Sequence, residues 1–293
     1  VATATQLIEE TLDLFYQDHR PSLNVLTTTV DADDTTIAFD LEPRGIAQGA
    51  FIELELEIAY VVSVTGQAAT VLRAQRGTTG AAHTAGTIIT VNPKLTRHRV
   101  FASLNEELYA LHSAGLYQMR TVELTYNSSI QGYDLTGVTD ASAMYSVSYD
   151  TPGPDESWPE IAPSQYRLVR NAETDDFASG LAIVLYHGGH PGRQLRIKYR
   201  APFTQFASEA TTTTTAGVPD SAVDILPLGV ILRVGSQREW SRNFTSSQGD
   251  TRRSTEVPMG AQIASARISL AYYQQRLVDE INLLAQKYPE MYR

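Results

Sequence analysis

The spacing of apolar residues changes period four times along this chain, from helical to alternating and back, and no other feature constrains its fold as strongly. Residues 3–16 place Leu7, Ile8, Leu12 and Phe15 near one helical face, with Glu9, Glu10 and Asp13 opposite and Thr3 or Thr5 available as N-cap. This predicts an amphipathic helix ending before His19-Arg20-Pro21, because the residue before proline is steered out of the helical region. From Leu23 to Val91 the period is two. Its clearest stretch sets Ile52, Leu54, Leu56 and Ile58 against Glu53, Glu55 and Glu57, predicting one half-buried strand with a solvent-facing row of carboxylates that discourages edge pairing. Turn residues at Asp31–Asp34, Pro43-Arg44-Gly45, Thr65-Gly66-Gln67 and Gly77–Gly80 divide the rest into five or six short strands, a small β-barrel or sandwich.

After Asn92-Pro93 the spacing of Phe101, Leu104, Leu108 and Leu111 predicts a second helix, with Thr96 as N-cap and Gly115 as its stop. A second β unit follows, its strands centred on Val122/Leu124/Tyr126, Tyr145/Val147/Tyr149, 181–186 and Leu195/Ile197/Tyr199. Five consecutive threonines then read as a linker or β-arm. Residues 221–234 make an apolar helix that Pro227 should kink or restart, and 260–288 a long helix with Ile263, Leu270, Leu277, Ile281, Leu284 and Tyr288 at near-heptad steps. The expected organisation is α+β. An N-terminal helix (1–22), a middle helix (95–117) and a C-terminal helical hairpin (220–293) form a bundle; a β-barrel or sandwich (23–94) and a β-sandwich (118–206) are inserted in it, with a threonine-rich linker at 207–219.

Composition removes several classes of function. Without cysteine there are no thiolate zinc sites, cysteine nucleophiles or disulfides. No apolar run approaches the roughly 20 residues that cross a bilayer, and the acidic start lacks a signal-peptide pattern, so the chain is read as soluble and not exported. The net charge of −10 is an N-terminal property: residues 1–94 carry 12 acidic against 5 basic side chains, whereas 220–293 carry 8 against 9. Such a surface repels phosphate and argues against binding nucleic acid through a basic patch. Twenty of the 23 basic residues are Arg, which suits planar pairing at interfaces but also follows from codon bias.

No Walker loop, nucleophile elbow, HExxH or dinucleotide fingerprint is present. The glycine-rich stretch Arg76–Gly86 has no P-loop lysine and reads as a structural hairpin loop. Asp31-x-Asp33-x-Thr35 with Glu42 imitates a calcium loop but has Thr36 where the sharp turn needs Gly, and reads as a solvated turn. His187 and His190 form a conceivable metal pair without a third ligand, and an exposed turn is favoured. Paired carboxylates such as Glu106/Glu107 are expected on solvated faces. Arg252-Arg253, in a polar loop, can meet phosphates or a partner's carboxylates. Neither a catalytic constellation nor a cofactor or metal site emerges.

Glu57-Ile58-Ala59-Tyr60-Val61-Val62-Ser63-Val64, then Thr70 to Thr87 with its Arg73, RGTTG and AAHTAG segments, then Val91-Asn92-Pro93, resembles a β-module that recurs in structural proteins of tailed bacteriophages. Asp224–Val230, Arg238-Glu239, Arg252-Arg253, Glu256-Val257-Pro258 and the closing helix with Tyr288-Pro289 are similar to neck proteins of phages that infect actinobacteria. The resemblance implies a head-to-tail connector: a non-catalytic virion protein, made in the host cytoplasm and assembled in the neck. It would form a homo-oligomeric ring of about twelve copies, docked to the portal above and to a tail or stopper protein below, and pass DNA without sequence-specific binding. In that setting Arg252, Arg253, Ile263, Leu270, Leu277, Ile281 and Leu284 are expected at interfaces, and Glu53, Glu55 and Glu57 along the channel. A minor tail, tail-tip or capsid-decorating protein is the alternative. A glycan-binding tail protein, suggested by 15 Tyr and two Trp, is the rival from another class.

Overall fold

The computed structural model describes residues 1–16, 21–40, 45–136, 138, 141, 143–151, 158–186, 190–234 and 261–289, with side chains of 261–266 excluded. It holds twelve strands and five helices among those residues. The chain divides into two compact units, one of residues 1–107, 206–214 and 219–274, the other of 108–205, 215–218 and 275–293.

In the first unit, α1 (Ala4–Tyr16) begins with a reciprocal cap: the Thr3 hydroxyl accepts the Gln6 N–H, and the Gln6 side chain accepts the Thr3 N–H. Six antiparallel strands follow: β1 (Ser22–Val25), β2 (Thr36–Ala38), β3 (Phe51–Leu54), β4 (Glu57–Thr65), β5 (Ala68–Leu72) and β6 (Ile88–Val91). Their order is β1-β6-β3-β4-β5-β2. The sheet curls into a half-barrel, and a bridge between Leu26 and Phe39 stitches its two edge strands. Phe39, Ile37, Ile52, Leu54, Val61, Val71 and Ile89 fill its interior.

The expected strand across 52–58 is instead a two-residue hairpin. Glu55 takes a positive φ of 52°, and β3 pairs with β4 so that Leu54 faces Glu57 and Glu53 faces Ile58. Directly opposed residues of an antiparallel pair share a sheet face, so the turn inverts the alternation. Leu54 and Glu57 both point inward, while Glu53 shares the outer face with Ile58. Both carboxylates are nonetheless buried, at 2% and 1% exposure, and only Glu55 of the expected acidic row reaches solvent.

Helix α2 (Arg97–Ser113) starts at Thr96, whose hydroxyl accepts the Arg99 N–H. It ends at Gly115 (φ 108°), with Gly115 N–H donating to His112 and Leu116 N–H to Leu111, the paired bonds of a Schellman stop. In the second unit β7 (Gln118–Thr125), β12 (Gln194–Ala201) and β9 (Ala143–Tyr149) form one sheet, and β10 (Tyr166–Arg170), β11 (Leu181–Leu185) and β8 (Gly132–Asp134) another. Both contribute to one core around Tyr133, Val147, Ile183, Leu195 and Ile197.

The threonine-rich stretch is not a free linker. Ala4 and Thr5 donate to the carbonyls of Thr211 and Glu209, Thr213 donates to Ala2, and the stretch contains α3 (Thr213–Ala216) with Thr213 and Ala216 buried. The apolar segment at 221–234 splits into a 3-10 turn at Asp220–Ala222 and a helix α4 over 225–234, which leaves Pro227 in the first turn, where no intrahelical N–H is required. Helix α5 spans Ala261–Lys287. No helix among the described residues is long and apolar enough to cross a membrane.

The predicted helical bundle with inserted β units is therefore incorrect. The protein is mostly β, organised around one six-stranded and two three-stranded antiparallel sheets, and not a helical bundle with small inserts. Periodicity identifies which face of a helix is covered but not by what.

Candidate functional site

Glu57, Arg73 and His83, all from the stretch that resembles the β-module, converge on one buried cluster. Glu57 accepts two hydrogen bonds from the Arg73 guanidinium, both 2.6 Å, and further ones from the N–H groups of Ala74 (3.1 Å) and Ala81 (3.0 Å). The His83 ring lies between two carboxylates, Nε2 3.0 Å from Glu57 and Nδ1 3.1 Å from Glu55; a neutral ring can donate to only one of them. Arg73 also donates to the carbonyls of Asp31, Asp34 and Ala81, so the resemblance to a calcium loop ends with a guanidinium bonded to its carbonyls. Burial by itself would raise the Glu57 pKa, but the hydrogen bonds from Arg73, His83, Ala81 and Ala74 outweigh it and hold the carboxyl below the usual carboxylate range.

This cluster explains the glycine-rich stretch as a clamped loop. Ala74 and Arg76 occupy left-handed backbone, Thr78 Oγ1 accepts the Ile58 N–H, and the Arg76 guanidinium lies 3.9 Å from the Phe51 ring centre. At Gly80 a Cβ would stand 2.9 Å from the carbonyl oxygen of Ala32, so backbone would have to move. Gly80→Ala is expected to destabilise the protein by about 1–3 kcal/mol in urea denaturation, as overpacking does.

A cleft of about 380 Å³ opens on the outer face of β1 and β6 beside α1. Leu12, Pro21, Leu23, Ile88 and Leu95 give it apolar walls; Glu9, Asp13, Glu53, Glu55 and Arg97 are its ionisable lining groups. Arg97 is already committed, pairing with Glu9 and, at 2.9 Å, with Glu209, which raises its pKa despite burial. Glu53 accepts the Arg97 N–H at 2.6 Å and so caps α2 from a neighbouring strand. Burial dominates nonetheless and pushes the Glu53 pKa up to about 8, against opposing contributions from the Arg97 and His98 N–H groups and the Arg97 charge. Such a carboxyl is mostly protonated at neutral pH.

A third polar cluster joins helices. Glu107 on α2 is buried, accepting from Arg233 of α4 at 2.7 Å and from the Tyr273 hydroxyl of α5 at 2.5 Å. Gly229 makes the space, since a Cβ there would lie 2.2 Å from the Glu107 carboxylate. Burial, then the neighbouring carboxylate, raises the Tyr273 pKa. The expectation that Glu107 is solvated is therefore incorrect. The missed signal was its position: Val100, Leu104, Glu107, Leu108 and Leu111 share one helical face.

The sequence-derived site residues are dispersed. Arg252 and Arg253 lie outside the described residues, as do the side chain of Ile263 and all of His187. His190 meets the Tyr149 ring edge-on at 5.5 Å. Leu270 is exposed, whereas Leu277, Ile281 and Leu284 are half-buried on their own chain, with the Ile281 side chain against Gly115. Of the expected channel-lining groups, Glu53 on the outer sheet face and Glu57 on the inner one are both buried, and Glu55 is open to solvent. Trp158, a candidate sugar platform, is covered on one face by the Arg196 guanidinium at 3.7 Å. The chain matches no protein-family model and no curated protein.

Proposed function

We propose that this chain is a non-catalytic structural protein of a tailed-phage virion, a head-to-tail connector that joins the portal to the tail and borders the path of the DNA. The observation that carries this reading is the convergence of Glu57, Arg73, Gly80 and His83 on one buried cluster. The residues that resemble the phage module are those that make its loop rigid, and a part repeated around a ring needs surfaces of fixed shape. Repulsion of DNA in such a ring would come from exposed carboxylates, Glu55 and the Asp31–Asp34 turn, and not from Glu53 or Glu57.

Purified chain mixed with portal rings of the same phage should add a ring-shaped layer to the portal in negative-stain images and sediment with it. Portal rings that stay bare at micromolar chain would overturn the connector reading. Truncation of 260–293 is a poor test, because it removes Tyr273 from the buried Glu107. A second reading, a tail-side or capsid-decorating virion protein, is favoured by the predominance of β structure where a helical bundle was expected. It would be recognised by binding to tail or capsid preparations with none to portal.

A further inference from the structure

Of the strands that end a sheet, β7 is the longest, and its outer side is open. The Tyr126 N–H donates to Arg193 and the Tyr126 carbonyl accepts from Gly192, so this residue faces β12, and by alternation Leu124, Val122 and Arg120 face it too. The N–H and C=O groups of Met119, Thr121, Glu123 and Thr125 therefore point away from the sheet, and among the described residues no backbone group meets them. Thr121, Glu123 and Thr125 are exposed. By contrast, residues 159–161 run along the outer side of β9, with the Ile161 N–H donating to Val147 and the Tyr149 N–H to Pro159. The edges of the half-barrel are likewise joined, Thr27 donating to Ala38 and Asp40 to Val25. β7 has neither a proline nor a register shift against β12, two of the devices that blunt an open edge.

We propose that β7 is a docking edge for an extended segment of another protein, which adds to the sheet as a further strand and alternates apolar with acidic side chains. The apolar side follows from Val122 and Leu124, which are half-buried at the margin of the core, so that apolar residues of the added strand complete their burial. The acidic side follows from the opposite face, where β12 carries Arg196, Lys198 and Arg200 at alternate positions. Arg196 is paired with Glu123, and the Arg200 guanidinium lies against the Tyr117 ring. Lys198 has no ion-pair partner among the described residues; its cross-strand neighbours are Thr121 and Ser146. Strands lie about 4.8 Å apart, so the added residue beside Thr121 stands about 10 Å from Lys198, a distance that a lysine and a glutamate side chain span together. Main-chain hydrogen bonds supply most of the affinity, and the two kinds of side chain fix the register. This docking does not depend on the connector reading.

The probe is a fluorescein-labelled peptide as long as β7 that alternates valine with glutamate and threonine, titrated with the full chain and followed by fluorescence anisotropy. It should bind saturably, and several-fold more tightly than the same peptide with lysine in place of glutamate; Lys198→Glu should reverse that preference. Methylating the peptide nitrogens that face β7 should weaken binding about tenfold or more. Thr121→Pro removes an outward N–H and no bond to β12, so this variant should keep its thermal melt and bind the peptide several-fold more weakly. If it fails to fold, the methylated peptide carries the same test. Saturating peptide should also slow hydrogen exchange at the amides of Thr121, Glu123 and Thr125 while leaving those of Val122 and Leu124 unchanged. No saturable binding of the unmethylated peptide, or equal binding of the methylated one, would overturn the proposal. Self-association of the chain that Thr121→Pro abolishes, without peptide binding, would assign the edge to a second copy and overturn it as well.

Discussion

Glu57→Ala is expected to lower the unfolding free energy by about 3–5 kcal/mol, the range seen when one partner of a buried ion pair is removed. The cost is large because nothing replaces the carboxylate. Arg73 keeps its charge with its side chain only 7% exposed, and the N–H groups of Ala74 and Ala81 and one nitrogen of His83 lose their acceptor together. The loop from Arg73 to His83 loses the anchor that holds its left-handed residues. The pH dependence has a definite sign. The folded pKa lies below the ordinary value of 4.5, so this carboxylate contributes fully above about pH 4.5 and its contribution is lost as the pH falls below that value towards the depressed folded pKa. Urea denaturation at neutral pH and between pH 3 and 5 checks both statements. The Ala variant should be much weaker at pH 7, and the gap to wild type should narrow in acid. A neutral-pH loss under about 1 kcal/mol would mean that the cluster does not organise the loop.

Glu53 is expected to act in the opposite direction. Its folded pKa of about 8 lies above 4.5, so between these values the unfolded chain ionises while the folded chain keeps the proton. Stability attributable to this group is complete below pH 4.5 and declines by up to about 1.4 kcal/mol per pH unit until about pH 8. Glu53→Gln keeps an oxygen for the Arg97 N–H and has nothing to ionise. It should match wild type near pH 4.5, exceed it by several kcal/mol at pH 8, and remove most of the slope between. Parallel stability profiles for the two proteins would show that Glu53 is ionised inside the fold. The two glutamates stand four residues apart on one hairpin, yet one is stabilised as a carboxylate and the other as an acid. The difference is the partner: Glu57 meets a guanidinium in bidentate geometry, whereas Glu53 meets chiefly backbone N–H groups in a buried position.

Features decided within a few residues were legible in the sequence. The cap at Thr3, the cap at Thr96 and the stop at Gly115 depend on groups three to five positions apart, and each forms as its residues suggest. The strands of the half-barrel and sandwich were also legible, since turn residues and alternation mark them locally. The restart at Pro227 follows from the missing N–H of proline.

The hairpin at Glu55-Leu56 was not legible, because alternation continues across a two-residue turn while the pairing reverses its sense. Two glutamates that read as a solvated row were thereby placed inside. Glu107 shows the same gap from the other side: its helical position indicated the covered face, but only Arg233, Tyr273 and the space at Gly229 make a buried carboxylate there tolerable.

The sequence by itself thus determined where chain segments start, stop and repeat, together with the residues of the clamped loop. Tertiary structure alone decided that the protein is mostly β and not a helical bundle with inserts, that burial raises the Glu53 pKa while hydrogen bonds lower that of Glu57, and that a carboxylate-rimmed cleft lies beside α1. The reason is one of range. Caps and periods are set by neighbours along the chain, whereas desolvation and charge pairing are set by neighbours in space, here 16 residues away for Arg73 and 44 for Arg97.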